Sequence, residues 1–325
     1  MKPTSPHLRF ILAAVVLLVC NSHLLAHVTA PHGSAPSAPR NWHELWRTWG
    51  TEPGVVIPLF LSAILYIRGV RRLWRERAGQ GVRKWEVACF AGGWLALFIA
   101  LVSPLHPWGS ALFSAHMTQH EILMLVTAPL LVLSRPLVAF LKALPARWSL
   151  ALSSWTKAQW WQTTWGYLVH PLVAWVIHVT ILWAWHLPSL YQATLHDEFI
   201  HALQHLSFLF SALLFWWALI QGRTAALRYG VAVLYVFTSA LQSGLLGALI
   251  TFAHTVWYPA YEETAPAWGL TPLEDQQLGG LIMWVPACAM YIVAGLALFA
   301  GWMRTSEDRA WTWDASLSPA RSHSP

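Results

Sequence analysis

The chain is predicted to be all-α, a polytopic membrane bundle of seven spanning helices. Three observations predict it. Hydrophobic residues make up 56% of the 325 residues and charged residues only 10%, where soluble domains carry about 25% charged. Seven apolar runs are each long enough to cross a hydrocarbon core of about 30 Å as a helix. Basic residues recur in every second connection between those runs. The net charge of +6 is therefore a topology signal. It implies a lipid bilayer as the surroundings and no nucleic-acid partner.

The elements follow in order. Residues 1–30 read as a signal peptide. Lys2 and Arg9 precede an apolar run over 10–20, which is shorter than the roughly 20 residues of a span. Small residues for cleavage follow at Ala26 and Ala30. An uncleaved anchor helix is the alternative. Residues 31–52 form an external lead-in, and its Pro/Ser/Ala-rich stretch 32–40 is expected to be flexible. The membrane domain, 53–303, carries spans over 53–70, 85–103, 113–134, 165–187, 199–220, 229–253 and 278–303. Residues 304–325 are expected to be a disordered cytoplasmic tail. No internal repeat marks a transporter built from duplicated halves.

Charge sets the orientation. The first loop, RGVRRLWRERAGQGVRK, carries seven basic residues. Arg135, Lys142, Arg147 and Lys157 follow span three, Arg223 and Arg228 follow span five, and Arg304, Arg309 and Arg321 follow span seven. By the positive-inside rule these segments are cytoplasmic. The alternate connections hold Asp197, Glu198, Glu262, Glu263, Glu274 and Asp275. The mature N-terminus is thus expected outside and the C-terminus inside a bacterial cell (inner) membrane. Trp160, Trp161 and Trp165 suit an interfacial belt.

Histidine placement is the sharpest functional signal. His106, His116, His120, His186, His196, His201, His205 and His254 all fall near the outer end of the spans. An ionisable residue inside a span is a functional-site hypothesis by default. His116 and His120 sit four apart in HMTQH, so both project from one helix face, about 6 Å apart in depth. His201 and His205 repeat the spacing in HALQH. Two such pairs can converge on one metal ion. Met124 extends the first stripe by a turn, and Met117 lies beside it. Imidazole with thioether suits copper better than magnesium or calcium. The competing reading is a polar interhelical network bonded through Gln119, Gln204 and water, with Met124 filling a gap. Glu121 is read as an imidazole's acceptor or as the partner of a base at the membrane surface.

Other residues carry separate expectations. His186, ending span four, and His254, ending span six, are candidate ligands from further helices. His106 and His196 are expected in solvated loops, with a role in metal entry as the further reading. His178 is expected to be a packing residue or to make a structural hydrogen bond, and His170 falls at the cytoplasmic end, outside the cluster. Asp275, Gly279 and Met283 share a face of span seven. Asp275 is a candidate ligand, an outer-shell partner of a ligand, or a cap on a helix N-terminus, with capping favoured. Met283 would reach the depth of the histidine pairs. Gly279 and Gly280 permit close helix approach. Cys20, Cys89 and Cys288 form no CxxC, so a thiolate metal site is not expected.

Three blocks, HMTQHEILMLVTAPLLVLSRP, HALQHLSFLFSALLFWW and DQQLGGLIMWVP, preceded by an SPLHP turn, resemble the caa3-type cytochrome c oxidase assembly factor (CtaG) family. The resemblance covers roughly residues 45–303. It implies a seven-span protein that serves maturation of haem–copper oxidases, with copper supply to the catalytic subunit as its expected task. His116, Met117, His120, His201, His205, Asp275 and Met283 fall on the matching blocks. A different oxidase copper chaperone shares the family's name but has one span and paired cysteines, which this chain lacks.

The leading expectation is an assembly factor, not an enzyme. It would hold copper at an outward-facing His/Met site and pass it to the haem–copper oxidase catalytic subunit, receiving it from outside, where extracytoplasmic copper chaperones are the candidate source. No nucleophile–base set or nucleotide loop is visible. The alternatives are a membrane haem-binding electron carrier, with axial histidines from spans three and five, and a metal or proton transporter. The apolar inner halves of the spans argue against transport.

Overall fold

A computed structural model of the chain describes residues 39–75, 79, 81–221 and 229–317, and among these every regular element is a helix. The expected signal peptide, the lead-in up to residue 38 and the last eight residues lie outside the described residues. A short helix α1 (Trp42–Arg47) precedes the first two spans, α2 (Pro53–Leu73) and α3 (Lys84–Leu101). A single turn, α4 (Leu105–Trp108), leads into the third. That span is composite, with α5 (Phe113–Glu121), a π-helical stretch at Ile122–Thr127 and α6 (Ala128–Ser134). Then come α7 (Pro136–Ala143), α8 (Ala146–Lys157), α9 (Gln159–Leu168), α10 (Pro171–Trp185) and α11 (Pro188–His196). The last spans are α12 (Glu198–Gln221), α13 (Tyr229–Thr251) and α14 (Pro272–Leu317).

Proline sets many of these boundaries. Helices α2, α7, α10, α11 and α14 each begin on one, where the missing N–H costs no helical bond. Pro171 also breaks the expected span over 165–187. It pushes His170 out of the helical region, to φ −62°, ψ 129°. Helices α9 and α10 therefore meet at a 62° bend. Among the described residues six helices meet the length and apolarity of a span, or seven when this bent pair counts as one. Helix α14 does not end near 303. It runs on to Leu317, where a disordered tail had been expected. Trp165 also departs from expectation. It is buried against Trp217, at 5.8 Å between rings, and does not sit in an interfacial belt.

Burial separates the spans. Span three is 67% buried and α12 is 72% buried, against 22% to 44% for the other unbroken spans. The two helices that carry the histidine pairs are thus the interior of the bundle, with His116, Gln119, His120, Gln204 and His205 all buried. Span three packs against α3, α12 and α14. It ends at Arg135, whose left-handed φ of 48° turns the chain into Pro136 and whose guanidinium lies 3.7 Å from Glu86 of α3. Helices α13 and α14 approach closely at Gly247 and Gly280. A Cβ on Gly280 would meet the Gly247 carbonyl oxygen at 2.8 Å, so a larger residue would force the pair apart.

Candidate metal centre

The site begins with what fixes α5. Its N-terminal residue Leu112 offers no side-chain cap. The orphan N–H groups of that first turn are met from another helix. Asp275 of α14 accepts from Phe113 N (2.6 Å), Ser114 N (3.1 Å) and Ser114 Oγ (2.5 Å). The favoured capping role is thus observed, but for α5 and not for Asp275's own helix. Helix α14 is capped by a Thr271/Glu274 box. Glu274 Oε2 accepts from Thr271 N at 2.8 Å, and Thr271 Oγ1 accepts from Glu274 N at 3.3 Å. The small Cα of Gly279 leaves room for Phe113 and Met117 to lie against α14. Together these contacts set the depth of His116 and His120.

Five imidazoles then converge from three elements. His116 and His120 stand on α5, His201 and His205 on α12, and His106 on the α4 turn. Ring centroids lie 4.5 Å apart for His116–His120 and 4.4 Å for His201–His205. Across the helices they lie 5.1 Å apart for His116–His201 and 5.3 Å for His120–His205. The His106 ring stacks on His201 at 5.4 Å. Among the described residues two triads have ligand atoms all within 4.8 Å of one another: His106/His201/His205, and the buried His116/His120/His205. Three imidazoles around one ion at metal–nitrogen bonds of about 2.0 Å need nitrogens roughly 3.5 Å apart. Closing either triad takes about an ångström of side-chain rotation.

Hydrogen bonding leaves donor nitrogens available. Gln204 Oε1 can only accept, so at 3.2 Å His116 Nε2 donates to it. The neutral ring then carries its lone pair on Nδ1, which is buried and makes no hydrogen bond. Both ring nitrogens of His120, and Nε2 of His205, are likewise buried without hydrogen bonds. Leaving such groups unsatisfied costs free energy, which a bound cation would recover. The Gln119 amide donates to Ala100 O (2.6 Å) and to His106 Nδ1 (3.1 Å), tying the α4 turn to the cluster. Here the polar-network reading captured two real contacts.

The surroundings differ on the two flanks. A cavity of about 310 Å³ reaches His106, His201 and His205, and its lining includes Trp49, Glu52 and His196. On another side stands an aromatic wall. Phe113 stacks on Tyr258 at 4.6 Å, and Tyr191 lies 5.3 Å from the His116 ring. Tyr191 and Tyr261 share a 2.8 Å hydroxyl contact, and Tyr261 donates to Gly109 O at 3.0 Å. Burial pushes the Tyr258 and Tyr261 hydroxyls far above the usual phenol range, so both stay neutral donors.

The remaining expected residues divide. His186 is buried 6.4 Å from His120 by ring centroid, with Nδ1 2.6 Å from Leu182 O, and belongs to neither triad. His254 is exposed and also outside both. Met117 packs beside Gly279, while Met124 and Met283 are buried in the apolar core. Asp275 is occupied with α5. Glu121 is buried, not at a surface, with Oε2 making no hydrogen bond. His178 meets Ser211 Oγ at 3.0 Å, as its isolated mid-span position suggested. His106 was expected to be solvated, and the structure places it in the cluster. The available signal was proximity: the SPLHP turn lies immediately before span three, too short to leave that helix's end.

Fold and site together define a polytopic helical membrane protein with a buried multi-imidazole cluster reached from one end of the bundle. The profile of the family described as Cytochrome c oxidase caa3 assembly factor (Caa3_CtaG) matches residues 64–305, and the chain belongs to that family. It is 24% identical over 272 residues to an uncharacterized protein of Mycobacterium leprae (strain TN), covering 82% of this chain and 41% of that protein. It is 27% identical over 248 residues to an uncharacterized protein of Mycobacterium bovis (strain ATCC BAA-935 / AF2122/97), covering 74% and 37%. The chain thus spans about two fifths of the length of these curated relatives. No solved structure matches it significantly.

Proposed function

We propose that this protein holds copper in its histidine cluster near the extracytoplasmic end of the bundle and passes it to the catalytic subunit of a haem–copper oxidase during assembly. The observation that carries the reading is the convergence of five imidazoles from α4, α5 and α12, three of which, His116, His120 and His205, have buried ring nitrogens that make no hydrogen bond. Membership of an oxidase assembly family supplies the process. Neutral nitrogen donors without thiolate hold copper while permitting exchange, as a carrier requires. Copper here is cargo, and no turnover is implied. His116, His120, His201, His205 and His106 are the proposed ligands.

Haem is a poorer fit. A porphyrin needs a flat slot between two axial ligands, and here other imidazoles fill the space between the rings. Transport across the bilayer is also disfavoured. The Phe208 ring packs on His120 at 4.5 Å, and Leu123, Met124 and Leu209 are buried apolar neighbours in the core.

A deletion strain grown under copper limitation tests the role. Its oxidase is expected to lose copper and activity while haem synthesis continues. An oxidase with normal copper content and activity in that strain would exclude the assembly role.

A further inference from the structure

The histidines do not form one shell around a point. They form two overlapping triads that share His205. The triads differ in access. His106, His201 and His205 line the 310 Å³ cavity, whereas His116 and His120 are absent from its lining. They differ in burial as well: His106 and His201 are half-buried, and His116 and His120 fully so. On the flank beyond His116 the Tyr191/Tyr258/Tyr261 wall closes the cluster.

Resting on the copper-holding reading, we propose that these are two stations worked in sequence by a single ion. The outer triad, His106/His201/His205, takes copper from the cavity, the His106 Nδ1 lone pair passing from the Gln119 amide to the ion. The inner triad, His116/His120/His205, stores it. A neutral imidazole ring has one lone pair for a metal, so His205 serves one ion at a time and the stations exclude each other. Movement inward replaces the bonds to His106 and His201 by bonds to His116 and His120 while His205 stays attached. The ion keeps its charge and oxidation state and is never released between stations. The gap to cross is short, since the His116 ring lies 5.1 Å from His201 and 5.6 Å from His205. Departure retraces the route, which makes the cavity mouth the place where copper leaves.

The relay assigns different defects to different histidines. In His106→Asn the side-chain carbonyl can replace Nδ1 as the acceptor for Gln119, so the α4 turn keeps its anchor while the outer station loses a ligand. In His120→Ala only the inner station is damaged. His205→Ala damages both. Full-length protein in detergent is mixed anaerobically with Cu(I), and loading and removal by a chromophoric Cu(I) chelator are followed by stopped flow, with elution volume and helical circular dichroism confirming the fold.

Wild type is expected to hold one ion per chain. His106→Asn is expected to reach the same stoichiometry but to load and release at least tenfold more slowly. His120→Ala is expected to surrender its ion to chelator at least tenfold faster than wild type, and His205→Ala to retain none. Two ions per wild-type chain, or His106→Asn loading at the wild-type rate, would overturn the relay while leaving the copper-holding reading intact. A correctly folded wild type that binds no copper would overturn both.

Discussion

Replacing Asp275 tests how the site is positioned. Its carboxylate accepts three hydrogen bonds from the first turn of α5, two from backbone N–H groups and one from the Ser114 hydroxyl. The hydroxyl can rotate to another acceptor, but the two N–H groups cannot. Hydrogen bonds to a charged group contribute about 1.5–3 kcal/mol each, so Asp275→Ala is expected to cost roughly 3–6 kcal/mol. Asp275→Asn keeps one acceptor oxygen and points an NH2 at a donor, so it should cost about half as much. For a domain of 150–250 residues each kcal/mol lowers Tm by about 2–4 °C. The alanine variant should therefore melt at least about 6 °C below wild type in detergent, with the asparagine variant between. If Asp275 were instead a metal ligand, its removal would abolish copper binding at unchanged Tm. That result would refute its assignment as the cap of α5.

Two further outcomes follow from topology and from ligand chemistry. Reporter fusions near Glu262 should lie outside and those near Arg75 or Arg147 inside, because basic residues crowd alternate connections; a cytoplasmic signal at Glu262 would place the cluster on the wrong side. Copper affinity should be full where the imidazoles are neutral and should fall as pH drops below their pKa values, since each ligating ring must lose its competing proton. With three imidazole ligands the fall can approach about a thousandfold per pH unit once all three rings titrate, and copper that stays bound when competition titrations are carried into acid below that range would exclude an all-imidazole site.

Much of the fold was legible because bilayer thickness sets helix length and apolar runs report it directly. The HxxxH pairs were legible for a local reason: a four-residue step returns to the same helix face. What the sequence concealed was non-local. Pro171 lies inside an unbroken apolar stretch, so hydropathy reads one span where the backbone bends by 62°. Asp275 looked like a cap for its own helix because its preference for N-termini is a local rule, yet its acceptors serve α5, 161 and 162 positions away. His106 is on a short turn and carries no periodic signal of its own. Only the packing of α4 against α5 shows it to be part of the cluster. His254 illustrates the reverse, since its place at the end of a span matched the other histidines and the structure leaves it exposed.

The most direct test of the central claim is metal analysis of anaerobically purified protein, comparing wild type with His116→Ala/His120→Ala and with His201→Ala/His205→Ala. Both double variants should insert normally, because insertion depends on apolar runs that these changes barely alter. Wild type is expected to retain one copper ion per chain through purification, His201→Ala/His205→Ala almost none because both triads lose ligands, and His116→Ala/His120→Ala, left with the outer triad alone, far less than one. Wild-type copper stoichiometry in both double variants would show that the imidazoles are packing and hydrogen-bonding groups, and the copper-holding account would be wrong.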